Sequence, residues 1–239
     1  MIKTKILIFV PTYNERENVS DLFHAIKKNS QDSDVLFLDD NSPDGTGKII
    51  DNIVNNNKNV FVIHRKSKFG IGSAHMEGFK FANKNSYDYL LTMDADFTHD
   101  PKYIPDIINK KNRCDIVIGS RYANAKCIKN WPLIRQCITY TAHFFTEKVL
   151  GMPYDCTGAY RLYNKKMINK MCKDFGIKSD GYSFFIESIY TYKESGAKIS
   201  EVPIFAIDRQ KGETKISRKE ILNAIKLLGK LSIKHIFKK

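Results

Sequence analysis

Apolar residues arrive along this chain in short unbroken runs, each stopped by a polar or Pro/Gly-containing break. The runs at 6–10, 35–38, 60–64 and 89–93 are rich in Val, Ile, Leu and Phe, which predicts strands buried on both faces. Between them, 18–26, 48–54 and 70–82 place apolar residues at helical spacing, the last behind a Gly-rich turn. Strand and helix alternating in this way predict an α/β fold with a mostly parallel, doubly wound sheet.

Beyond residue 130 the pattern changes. Pro132 suits a first helical turn and Gly151 a stop, and between them Leu133, Ile134, Cys137, Ile138, Phe144, Phe145 and Val149 make a broad apolar face. By periodicity this is an ordinary core helix. Residues 180–187 open another helix, and 199–207, interrupted by Pro203, read as an edge strand. The chain closes on a basic amphipathic stretch over 216–239. Lys219, Lys226, Lys230, Lys234 and Lys238 share one side of the projection, and Ile221, Ala224, Ile225, Leu228, Leu231 and Ile236 the other, with Leu227 and Phe237 breaking the pattern. Two uses fit such a helix: anchoring on anionic headgroups, or packing on the domain with a solvated charged face.

Composition narrows the classes. A chain of 239 residues with 42% hydrophobic content buries one substantial core. Lys and Arg exceed Asp and Glu by 13, so the surface attracts phosphates, whether of nucleotides, nucleic acids or lipids. Cys114, Cys127, Cys137, Cys156 and Cys172 are scattered, odd in number and without a Cys-x-x-Cys pair, which reads as reduced thiols. The apolar start halts at Pro11 with no small-residue cleavage site after it, so it is a first strand rather than a signal peptide. No apolar run is long enough to cross a bilayer.

Chemistry enters at the strand ends. The run from Tyr89 to Met93 stops in Asp94-Ala95-Asp96, and two carboxylates one residue apart form a hard oxygen site suited to Mg2+ or Mn2+. The first run ends in Pro11-Thr12-Tyr13-Asn14-Glu15 and the second in Asp39-Asp40-Asn41-Ser42-Pro43-Asp44-Gly45-Thr46. Ligands of such sheets bind beyond the carboxyl ends of the strands, where all these residues fall. Asp44-Gly45 also suits a turn, and Asp39 a helix cap. Taken together, the clusters point to a metal–nucleotide site.

These motifs resemble those of inverting family 2 glycosyltransferases with the GT-A fold, and more closely the dolichol-phosphate (polyprenol-phosphate) mannosyltransferases. Later stretches agree: Gly119-Ser120-Arg121-Tyr122, 155–163, Phe184-Phe185-Ile186-Glu187 and 209–215. Thr214 stands where the family usually has Ser, and Thr98 where some relatives have a Gln that reaches the metal. The resemblance implies that Pro11, Tyr13 and Glu15, with Leu38 and Asp40 beside them, hold base and ribose, and that Asp94, Ala95 and Asp96 continue the nucleotide site. It places the metal on Asp94 and Asp96, with Thr98 beside them, and Arg121, Arg209 and Lys215 around the diphosphate. It directs Glu187 towards the site, and it lays the 131–150 helix at a membrane interface near the lipid acceptor. The implied division is a catalytic part over 1–215, with nucleotide-sugar residues 1–125 and acceptor-side residues 126–215, followed by the terminal helix.

The expected reaction moves a sugar from a nucleotide donor, GDP-mannose favoured, to dolichyl or polyprenyl phosphate. A phosphate monoester is largely ionised near neutrality, so it attacks without an enzyme base. Charge growing on the leaving diphosphate falls to the metal and to Arg121, Arg209 and Lys215. One displacement inverts the anomeric centre. The expected setting is peripheral, on the cytoplasmic face of the endoplasmic reticulum in a eukaryote or of the plasma membrane in a bacterium. There the chain meets the membrane surface directly or through a small membrane-embedded subunit. UDP-glucose transferases to lipid phosphates share most of these motifs and are the alternative. A nucleic-acid-binding protein accounts for the charge but lacks a recognisable motif. A nucleotidyltransferase lacks its glycine-rich basic loop after the first strand. A non-catalytic membrane-binding relative leaves the charged site residues unexplained.

Overall fold

Strand β1 (Ile6–Thr12) lies inside the sheet, and from Leu7 onward every one of its residues is buried. The computed structural model describes residues 4–123, 133–173, 175–205 and 218–237. On one side of β1 lie β2 (Asp34–Asp39) and β3 (Val60–His64), on the other β4 (Tyr89–Thr92). The sheet continues through β6 (Arg161–Asn164), β5 (Ile116–Ser120) and β7 (Ile199–Pro203), in the order β3-β2-β1-β4-β6-β5-β7. All neighbours are parallel except β6, which runs against both β4 and β5. β7 is the edge strand that Pro203 foretold.

Alternation along the strands divides the core in two. Leu7, Phe9, Leu36, Leu38, Leu90 and Ile118 point to one face, and Ile8, Val10, Val35, Phe37, Leu91 and Val117 to the other. The second face is covered by α1 (Val19–Asn29), α2 (Thr46–Asn55) and α4 (Ile104–Asn109), through Leu22, Phe23, Ile26, Ile50 and Ile107. The first is covered by α3 (Ile71–Lys84), α6 (Lys165–Cys172) and α7 (Ser183–Glu194), through Phe79, Met167, Phe184 and Ile189. Truncating one of these buried Leu side chains to Ala costs about 2–5 kcal/mol.

The stretch predicted over 131–150 contains α5 (Leu133–Phe144), which continues as a π-helical turn (Phe145–Val149) and ends before Gly151 at φ +61°. Its apolar face is only partly covered: Phe144 and Phe145 are exposed. The terminal helix α8 (Arg218–Ile236) packs on α7 through the side of Leu227, Leu228 and Leu231. Leu227, which seemed to break the pattern, belongs to the packed side, whereas Ile225 is 60% exposed. Among the described residues no helix is long and apolar enough to cross a membrane.

Candidate active site

From β1 the chain moves outward through β2 and β3, then returns to the other side of β1 as β4, so the connections diverge between β1 and β4. Such a divergence opens a crevice at the carboxyl ends of the strands. Register places the motifs around it. Pro11 lies opposite Leu38 and Thr12 opposite Asp39, while β4 stops with Thr92 opposite Phe9. Tyr13 and Glu15 therefore follow one strand tip, Asp40 the next, and Asp94, Ala95 and Asp96 the third.

Each tip turns sharply. Asn14, Asn41 and Phe97 all have left-handed backbones, at φ 54°, 58° and 61°. Asn tolerates that region, but a bulky aromatic is strained there, by about 1–3 kcal/mol. At Phe97 the turn aims the Thr98 N–H and hydroxyl back at Asp96 Oδ1, 3.1 and 2.6 Å away. Asp96 is buried and thereby oriented, while the Asp94 side chain is 38% exposed. The Asp94 N–H donates to His99 Nδ1 at 3.0 Å, which requires the tautomer with its proton on Nε2. His99 is buried and stacked on Tyr160.

The other tips are laced by hydrogen bonds. Glu15 is buried, and its Oε2 accepts from Asn18 Nδ2 at 2.7 Å while its N–H donates to Thr46 Oγ1 at 2.9 Å. Asp39 accepts from the Ser42 hydroxyl and N–H and so shapes its own loop. Lys68 Nζ sits 4.5 Å from the Tyr13 ring centre. Asp40 is forked by Arg65: Nε reaches Oδ1 and Nη2 reaches Oδ2 at 2.7 Å, with both side chains under 10% exposed. Arg65 also donates to Ser73 Oγ at 2.7 Å and to Gly70 O at 3.3 Å. A carboxylate accepts about four hydrogen bonds, so this pairing fixes Asp40 and leaves it lone pairs for a donor group. Arg65 was missed from sequence because a single Arg after β3 makes no motif; its place at a fourth strand tip was the available signal.

Arg121 follows β5, and β6, running the other way, brings the 155–160 segment to the same edge. Arg121 Nε donates to Asp155 Oδ2 at 2.7 Å and Nη2 to Oδ1 at 2.7 Å, and Nη2 also reaches Thr157 Oγ1 at 2.6 Å. Asp155 is wholly buried. Burial alone would raise its pKa, but the Arg121 charge and hydrogen bonds outweigh that and hold it well below the usual carboxylate range. Burial likewise disfavours the Arg121 cation, and Asp155 more than restores it, with a smaller contribution from Asp94. His143 of α5 stacks on Tyr122, 3.8 Å between centres at 4°.

Glu187, which the resemblance directs towards the site, holds a neighbouring loop. Its Oε2 accepts the N–H groups of Lys178 and Ser179 at 3.2 and 2.9 Å, fastening the loop before α7. Arg209, Thr214 and Lys215, with the whole 209–215 motif, lie outside the described residues, as do Trp131 and Pro132.

A divalent cation fits what is present. Asp94 and Asp96 offer only hard oxygen donors, one carboxylate already oriented and the other partly open. Among the described residues no group of three or more His, Cys, Asp or Glu could hold a metal. The two carboxylates suit Mg2+ or Mn2+ bound through one or two carboxylates and completed by phosphate oxygens.

The family model described as glycosyl transferase family 2 matches residues 7–190. The chain is 35% identical over 214 residues to undecaprenyl-phosphate mannosyltransferase of Micrococcus luteus, covering 89% of this chain and 88% of that one. It is 33% identical over 224 residues to polyprenol monophosphomannose synthase of Mycolicibacterium smegmatis, covering 92% and 84%. Among solved structures, glucosyl-3-phosphoglycerate synthase of Mycobacterium tuberculosis matches in two complexes. In the complex with phosphoglyceric acid the TM-score is 0.71 at 14% identity, over 96% of this chain and 80% of that one. In the complex with Mn2+, UDP and glucosyl-3-phosphoglycerate the TM-score is 0.64 at 15% identity, over 98% and 77%. The GT-A sheet expected from the motifs is borne out, as is the resemblance to polyprenyl-phosphate mannosyltransferases. The chain belongs to glycosyl transferase family 2.

Proposed function

We propose that this enzyme transfers mannose from GDP-mannose to the phosphate of a polyprenyl or dolichyl lipid, by one in-line displacement that inverts the anomeric centre. The observation that carries the reading is the Asp94-Ala95-Asp96 turn after β4 at the β1/β4 divergence, on the same edge of the sheet as the carboxyl ends of β1 and β2 and the Arg121–Asp155 pair beyond β5. The two relatives are named for lipid-phosphate mannosyl transfer.

In this reading Pro11, Tyr13, Glu15, Leu38 and Asp40 seat the base and ribose, with Ala95 lining the crevice. Asp94 and Asp96, with Thr98 orienting Asp96, hold Mg2+ or Mn2+, which when bound neutralises charge growing on the departing diphosphate. The Mn2+ named in the M. tuberculosis complex supports a divalent ion. Arg121, Arg209 and Lys215 add positive charge to the same oxygens. The buried carboxylate partner of Arg121 holds its guanidinium at a fixed angle. Asp39, Asp40 and Asp155 are all engaged as hydrogen-bond acceptors, and an acceptor phosphate needs no base from them.

The proposed division follows: residues 1–125 serve the donor, 126–215 the acceptor, and 216–239 the lipid surface. The outward strip of α8, Leu222, Ile225, Ile233 and Phe237, is exposed and flanked by Lys219, Lys226 and Lys230, the chemistry of an anionic interface. The proposed setting is the cytoplasmic face of a membrane, the endoplasmic reticulum in a eukaryote or the plasma membrane in a bacterium.

The test is incubation of the purified chain with labelled GDP-mannose or UDP-glucose, a polyprenyl phosphate and Mn2+. Organic-extractable label from GDP-mannose, released as β-mannosyl phosphate, supports the reading. Label from UDP-glucose alone replaces the donor, and an α-linked product or a trapped sugar–enzyme adduct overturns the single displacement.

A further inference from the structure

α8 does more than cover the core. The Glu220 carboxylate, in its first turn, reaches the start of α7 and accepts the Tyr182 N–H at 2.9 Å, where the helix dipole favours an anion. Two residues back along the chain, Asp180 O accepts the N–H groups of Gly72 and Ser73 at 2.7 and 3.2 Å, closing the start of α3. Ser73 Oγ in turn accepts from Arg65 Nη1, and Gly70 O from Arg65 Nη2. Arg65 forks Asp40. Hydrogen bonds and short backbone links thus run without a break from α8 to a donor-site carboxylate.

The packing along that path is tight at three glycines. A Cβ on Gly181 would stand 2.3 Å from Glu220 Oε2, one on Gly72 2.7 Å from Ser179 O, and one on Gly70 2.5 Å from Asp180 O. Movement of the loop therefore has no slack before it meets α3. Glu187 holds the same loop from the far side through Lys178 and Ser179.

We propose that Glu220 is a positioning residue for the donor site: through Asp180 and the start of α3 it sets the Arg65–Asp40 pair, and so couples the seating of α8 to nucleotide binding. The inference rests on the donor reading of Asp40 given above. Because the outward strip of α8 is the proposed lipid-facing side, donor affinity becomes sensitive to whether α8 is docked.

The experiment is calorimetric titration of the full chain with GDP in Mn2+ buffer, paired with thermal melts and steady-state kinetics. Glu220→Ala is expected to weaken GDP binding about fivefold or more, and to raise KM for the nucleotide sugar with little change in kcat. Glu220→Gln, whose amide oxygen accepts the same N–H, should recover most of the affinity. Ile107→Ala, which cuts a buried contact of α4 on the opposite face of the sheet, is the matched control: a comparable fall in Tm with GDP affinity kept. Unchanged GDP affinity in Glu220→Ala, with the same fall in Tm, makes Glu220 a simple staple and overturns the inference while leaving the proposed function intact. Failure of the wild-type chain to bind GDP overturns both.

Discussion

Arg121, beyond the end of β5, and Asp155, before the start of β6, meet as a two-point ion pair with the carboxylate fully buried. The pair joins the tip of β5 to the segment that leads into β6, and it is what turns an Arg that would otherwise spread into solvent into a fixed charge at the crevice. Asp155→Asn leaves that guanidinium uncompensated, so the variant should lose about 3–5 kcal/mol of stability. Transferase activity should fall with it. The acid limb tests the same contact. The folded pKa of Asp155 is depressed, so its contribution is complete above the unfolded value of 3.8 and is lost as pH falls through the lower folded pKa. Melts from neutral pH into the acid range should show this loss in the wild type and not in Asp155→Asn.

His75 supplies a second pH dependence of opposite origin. It is buried among Phe9, Phe184 and Phe185, its Nδ1–H donates to Ile71 O at 2.9 Å, and burial lowers its pKa to about 4. The unfolded chain takes up this proton near pH 6.5, before the folded one does. Stability is therefore full above that value and declines as pH falls towards about 4, by an amount on the order of 3 kcal/mol. His75→Phe should flatten the fall in Tm across that window; an unchanged slope would place the titration elsewhere.

Arg65→Met should destabilise by about 3–5 kcal/mol, because Asp40 is left buried without its partner. Arg65→Lys keeps the charge but not the fork and should fall between Met and wild type. In both, GDP titration should show weaker binding. A variant that binds GDP as the wild type does would separate the Asp40 fork from donor recognition.

Outward residues of α8 can be changed with little effect on the core. Replacing Leu222, Ile225 and Ile233 together by Ser should leave Tm nearly unchanged while reducing sedimentation with anionic vesicles. Lys226→Glu with Lys230→Glu should weaken the same binding by about 1 kcal/mol per lysine removed, and only at low salt. Retention on vesicles by both sets would remove α8 from the membrane contact.

The β1–β4 part of the sheet could be read from the sequence almost residue by residue, because parallel strands buried on both faces announce themselves as apolar runs. The runs at 6–10, 35–38, 60–64 and 89–93 became β1 to β4 with shifts of one or two residues at their ends. The β5–β7 part was less plain. β6 is four residues long and antiparallel, and its Arg161 is fully buried, so no apolar run marks it. Its charge is met by Phe185 O, on a later helix, and by Cys156 O in the preceding loop. Arg65 and His99 escaped for the same reason, and Asp155, though it opens the 155–163 motif, gave no sign of its pairing with Arg121: each acts through a partner that only the folded sheet supplies. On α8 periodicity found one apolar side, but the helix carries two, one packed through Leu231 and one outward through Leu222.

The central claim is that Asp94 and Asp96 hold the cation that accepts the departing diphosphate. The direct measurement is mannosyl transfer from GDP-mannose to polyprenyl phosphate by wild-type chain and Asp96→Asn, each with Mn2+ and with EDTA, alongside melts that confirm folding. Wild-type chain with Mn2+ should transfer mannose, EDTA should abolish the transfer and added metal restore it, and a folded Asp96→Asn should give none. Transfer by Asp96→Asn at the wild-type rate, or undiminished transfer in EDTA, would contradict the claim.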